Sequence, residues 1–188
     1  MKQAQFARIS RMMLVAAVML GIFPLPAGVR AQDEPEPEYA VQLIYAVPEG
    51  GEDRGLDQDG TILGSVESAQ RWVEDQTDGR RLNLVTDRRG RISVEFLQLS
   101  RTEDELNEWP DSFSSYQIEY EARAAGFNTP GIINAIYYEG ANIDDSACGE
   151  TPWPAHTPGN SFTLFIGGAC ASFPFLGKDD EAHWWELT

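Results

Sequence analysis

The stretch Pro130-Gly131-Ile132-Ile133-Asn134-Ala135-Ile136-Tyr137-Tyr138-Glu139-Gly140 decides the fold. Its β-branched and aromatic centre, bracketed by Pro-Gly and by Gly140, predicts a strand over residues 132–138. Downstream, Cys148-Gly149, Pro152, Pro154, Pro158 and Gly159 cannot continue a helix, so this segment reads as irregular surface chain. Ser161-Phe162-Thr163-Leu164-Phe165-Ile166 is a second strand, ended by Gly167-Gly168. Cys170 follows closely enough that a Cys148–Cys170 disulfide would tie the loop to the strand it feeds. For two cysteines in an exported chain one disulfide is the first reading, with two free thiols or a redox pair as alternatives. Asp179-Asp180-Glu181 then supply a helix start, with Trp184, Trp185 and Leu187 on its apolar face. The expectation is a domain over residues 39–188 that is truncated inside this last helix.

Upstream of the deciding stretch, residues 39–47 read as a central strand, because Val41, Leu43, Tyr45 and Val47 lie on one face while Ala40, Ile44 and Ala46 lie on the other. Residues 65–76 read as a helix with Val66, Ala69, Trp72 and Val73 inward and Ser65, Glu67 and Ser68 as its cap. Residues 80–85 and 91–99 read as two strands joined by the turn Asp87-Arg88-Arg89-Gly90. Thr102 caps the next helix, with Glu105 at the capping-box position. Pro110 interrupts that region, and residues 112–125 resume it with Phe113, Tyr116, Ile118, Tyr120 and Ala124 as core. The class is therefore α/β (α+β), with a mixed sheet of about five strands and flanking helices.

Residues 1–31 read as a signal peptide: Lys2, Arg8 and Arg11 precede an apolar run from Met12 to Phe23, and Val29-Arg30-Ala31 places the cut after Ala31. That run, about 12 residues, falls short of the ~20 that span a bilayer. The acidic, Pro-interrupted segment 32–38 reads as a linker. A secreted or periplasmic location follows. Four of the 14 basic residues and none of the 30 acids lie in residues 1–31, so removing them takes the formal net charge from −16 to −20. A surface this acidic excludes nucleic acid and anionic membrane as partners.

Asp53, Asp57 and Asp59-Gly60 contain part of a calcium loop, but Val66 stands where the loop's closing acid belongs, so a solvated turn is the better reading. Arg80, Arg81, Arg88, Arg89 and Arg91 form a basic group better explained by contact with acids of the same molecule than by nucleic acid. Ser146 and Ser161 lack the Gly-x-Ser-x-Gly elbow, and the Asp144-Asp145 pair is too ordinary in so acidic a chain to nominate a glycosidase. The only histidines are His156 and His183.

The element order, and the passage from Asn134-Ala135-Ile136-Tyr137-Tyr138 through Cys148-Gly149 and Cys170 to His183-Trp184-Trp185-Glu186-Leu187-Thr188, resembles the N-terminal part of secreted zinc-dependent metallopeptidases of the zincin class. The resemblance implies a five-stranded sheet leading into an active-site helix with His-Glu-x-x-His. There, two imidazoles one turn apart grip zinc and the carboxylate takes a proton from the bound water. This sequence contains no His-Glu-x-x-His. No residue here is therefore assigned as catalytic or as a metal ligand, and zinc is expected only together with that helix.

Two functional expectations stand. One is the substrate-side half of a zinc metallopeptidase, a hydrolase by resemblance, acting on protein or peptide and inactive without the helix. The other is a complete, non-catalytic extracellular binding or interaction domain.

Overall fold

A computed structural model describes residues 39–108, 114–143, 147–154 and 158–171. Residues 1–31 and 32–38, expected to be a signal peptide and a linker, together with Pro110, Phe113, Asp144, Asp145, Ser146, His156 and the terminal segment with His183, Trp184, Trp185 and Leu187, lie outside the described residues.

Among the described residues the strands are β1 Ala40–Val47, β2 Val94–Gln98, β3 Ile132–Tyr138, β4 Gly149–Glu150 and β5 Ser161–Phe165. They form one sheet in the order β2-β1-β3-β5-β4. The first four in that order run parallel, and β4 pairs antiparallel with β5. The chain steps outward from β1 to β2, then crosses back over β1 to β3. This reversal makes the boundary between β1 and β3 the topological switch point of the sheet.

Apolar side chains on both faces of β1 and β3 require cover on both sides, and the helices supply it. Helix α1, Thr61–Gln76, buries Ile62 and Val66 against Leu43, Tyr45, Val47, Ala135 and Tyr137. On the opposite face α2, Glu103–Asn107, and α3, Ser114–Ala124, bury Leu106, Ile118 and Ala122 against Ile44, Ala46, Ile136, Tyr138 and Phe165. The Thr102–Glu105 capping box forms as expected. Cys148 and Cys170 are joined, with Cα atoms 5.5 Å apart.

Several local expectations are corrected. Helix α1 begins at Thr61 rather than Ser65: the Thr61 amide donates to the Asp59 carboxylate at 2.8 Å, and Ile62 is fully buried. Ser65 is therefore no cap; its hydroxyl is buried against that of Tyr137 at 3.2 Å. Trp72 sits at the rim, 37% exposed, while Gln70 turns inward. The Gln70 amide both donates to the Leu82 carbonyl and accepts from the Leu82 amide.

That side chain helps explain why residues 80–85 form no strand. Their backbone is served by Gln70 and by a single parallel bridge from Leu84 to Val41. The chain then makes an excursion closed by a Thr86–Ile92 bridge before β2 pairs with the rest of β1. The fifth strand comes instead from the loop expected to be irregular, as β4. On α3, Tyr120 is 65% exposed and Ala124 is exposed as well, rather than core.

Candidate functional site

The carboxyl ends of β1, β3 and β5 meet at the switch point, where an open α/β sheet offers its ligand crevice. Three connections converge there. Tyr45 lies two residues before the end of β1, Glu139 directly follows β3, and Ile166 directly follows β5. Arg54, on the loop after β1, ties them together.

The Glu139 carboxylate accepts from the Tyr45 hydroxyl at 2.6 Å and from the Arg54 guanidinium at 2.6 Å. A second Arg54 contact reaches the Ile166 carbonyl at 3.2 Å, and the Arg54 amide donates to the Tyr45 oxygen at 3.1 Å. Burial, reinforced by the Glu139 contact, pushes the Tyr45 hydroxyl well above its usual range. Tyr45 is thus a neutral donor to a carboxylate. Burial works against the charge of Arg54, but the Glu139 contact outweighs it and holds the guanidinium above its ordinary value.

Glycines let the β3 and β5 connections touch backbone to backbone. The Gly167 amide donates to the Gly140 carbonyl at 2.9 Å. A Cβ on Gly167 would come within 2.5 Å of the Gly140 carbonyl carbon, and one on Gly140 within 2.4 Å of the Tyr138 ring. Across the sheet, Glu103 at the start of α2 accepts from the Ala141 amide at 2.7 Å. The Tyr138 hydroxyl is buried without a hydrogen-bond partner among the described residues. Burial first, then the Glu103 and Glu121 charges, raise its pKa. Just beyond this rim, the Cys148–Cys170 bond fastens the chain leaving β5.

This arrangement clamps three strand-end loops in fixed relation. Both oxygens of Glu139 are engaged, one by a cation, so the cluster positions backbone rather than supplying a free base. Sequence reading assigned none of Tyr45, Arg54 or Glu139 to a site. The available signal was Glu139 standing between a buried aromatic pair and a glycine, at the end of the central parallel strand.

The residues singled out from sequence fare differently. Asp53 accepts from the Gly55 amide and Asp59 from the Thr61 amide, so both acids shape turns. Among the described residues no group of three or more His, Cys, Asp or Glu side chains could hold a metal ion. Arg81 pairs with Glu74 at 2.7 Å and Arg91 with Asp87 at 2.8 Å, as contact with acids of the same molecule requires. Ser161 is buried, and its hydroxyl donates to Glu119 at 2.6 Å. His156, His183, Asp144, Asp145 and Ser146 lie outside the described residues. No helix among the described residues is long and apolar enough to cross a membrane. No protein-family model, curated protein or solved structure matches this chain.

Proposed function

We propose that this chain is the N-terminal, substrate-side part of an exported zinc-dependent metallopeptidase of the zincin class. The observation that supports the reading is the five-stranded mixed sheet, of the strand number the resemblance implies, whose last parallel strand leaves through a glycine-packed, disulfide-fastened junction. A segment following β5 therefore starts from a fixed position at the sheet's carboxyl edge. The disulfide fits a secreted or periplasmic location.

The sequence holds no His-Glu-x-x-His, and the described residues offer no ligand set for zinc. In this reading, zinc and its water-activating chemistry come with a helix from outside these 188 residues. The present residues supply the scaffold and a surface for protein or peptide.

The test is to read the coding sequence downstream of codon 188, append what it encodes, and measure bound zinc and hydrolysis of an unfolded protein. A downstream His-Glu-x-x-His helix that confers zinc-dependent cleavage supports the reading. A frame with no such helix, together with a monomeric, cooperatively melting 188-residue chain, refutes it and leaves the non-catalytic extracellular binding domain.

A further inference from the structure

We infer that the groove along the outer side of α3 is a binding site for a carboxylate carried on an aromatic or branched apolar group. The cavity, about 740 Å³, is lined by Arg101, Tyr116, Gln117, Tyr120, Arg123 and Asn128 among others. That volume suits a small ligand or the terminal residue of a peptide. Two guanidinium groups share one groove in a chain of net charge −16. The acid that also lines it, Glu119, is turned onto the amide and hydroxyl of Ser161.

Arg123 carries the inference. Its Nη1 is buried and has no hydrogen-bond partner among the described residues. A guanidinium with an unmet donor is costly, so a carboxylate seated in the groove beside it would offset its charge. Its place in the last turn of α3 suits the helix dipole, but that accounts for the charge and not for the unmet donor. The side chain is also held in position by backbone. Gly159 lies against its stem at φ +95°, and a Cβ there would come 2.9 Å from Arg123 Cγ and 3.2 Å from Cδ.

Arg101 bonds the Gln117 side-chain oxygen, and its contact with Glu121 is long at 3.6 Å. A planar guanidinium fork matches a carboxylate bidentately. Tyr116 and Tyr120, one turn apart on the same helix face, supply ring surface beside it. This site is separate from the strand-end rim and does not depend on the peptidase reading.

The experiment is an amide-shift titration of the full 188-residue chain with N-acetylphenylalanine, its neutral amide, benzoate and inorganic phosphate. The acid should saturate, with shifts confined to α3, Arg101, Asn128 and residues 158–160, while the neutral amide should not bind. Arg123→Gln should weaken the acid by about tenfold or more. Gly159→Ala should weaken it while circular dichroism stays native, and Arg81→Gln should change nothing. Benzoate binding as well as the acetylated amino acid indicates a site for free aromatic acids; benzoate binding much more weakly indicates a peptide C-terminus. Either result supports the site. Equal binding of acid and amide in the unsubstituted chain, phosphate binding tighter than the acid, or no saturable shift would overturn the assignment even if Arg123→Gln failed to fold.

Discussion

Removing the disulfide by Cys148→Ala with Cys170→Ala should destabilise the chain by a predictable amount and in a predictable place. The bond closes a loop with a sequence separation of 22. Chain-entropy bookkeeping for a closure of that size gives about 3.4 kcal/mol at room temperature. Cys170 is buried in the core cluster beneath α2 and α3, so truncating it adds a small cavity cost of about 1 kcal/mol. For a chain of this length a loss near 4 kcal/mol lowers the melting temperature by about 10 °C.

The local signature is sharper. The Phe165 amide donates to the Cys148 carbonyl on one side of β5, while the next amide, Ile166, donates to the Tyr138 carbonyl on the other side. Strand β4 is only two residues long and adjoins the disulfide. In native-state hydrogen exchange the Phe165 amide should therefore lose protection beyond the global change, and the Ile166 amide should not. A melting shift under about 3 °C, or equal loss at both amides, would refute the idea that the bond holds β4 in the sheet.

Three further expectations follow from buried polar contacts. Glu119→Ala leaves the amide and hydroxyl of Ser161 without their buried acceptor and should cost about 3 kcal/mol in chemical denaturation, with Ser161→Ala in that background recovering part of it. Glu139→Gln should cost about 2 kcal/mol by leaving the Arg54 guanidinium without its carboxylate; with Arg54→Gln the two losses should fall short of adding, and strict additivity would argue against the clamp. Burial pushes the Tyr137 hydroxyl from 10.0 up to about 12, against a small opposing effect of Ser65. A folded-state pKa above the unfolded one means that this stability is complete below about pH 10 and is lost as pH rises through about 12. Tyr45 and Tyr138 shift in the same direction. Phenolate absorbance should show these three tyrosines ionising together with unfolding, and Tyr137→Phe should move the alkaline transition upward.

Much of the framework was legible in sequence, for reasons visible in single segments. Residues 40–47 carry apolar side chains on both faces, and the β-branched and aromatic run 132–138 is bracketed by Pro130-Gly131 and Gly140; they became the adjacent central strands. The Thr102–Glu105 box was readable because both partners lie within one turn. The candidate rim was not readable. Tyr45 and Arg54 come from β1 and the loop after it, whereas Glu139 follows β3, 94 positions from Tyr45. Only the parallel register that sets Tyr45 beside Tyr137 brings Glu139 within reach.

The sequence alone therefore determined the layered α/β class, the strands that became β1, β3 and β5, the capped turn of α2 and the cysteine pair, because each rests on local periodicity, local capping or a count of two. The tertiary structure decided what local pattern cannot carry. Residues 80–85 look like a strand but meet only one bridge, since Gln70 takes up part of their backbone hydrogen bonding. Residues 149–150 look like loop but pair with β5, since the sheet edge and the disulfide hold them there. In both cases backbone donors and acceptors were satisfied by whichever partner the fold brought nearest, and that partner is set by the whole chain rather than by the segment.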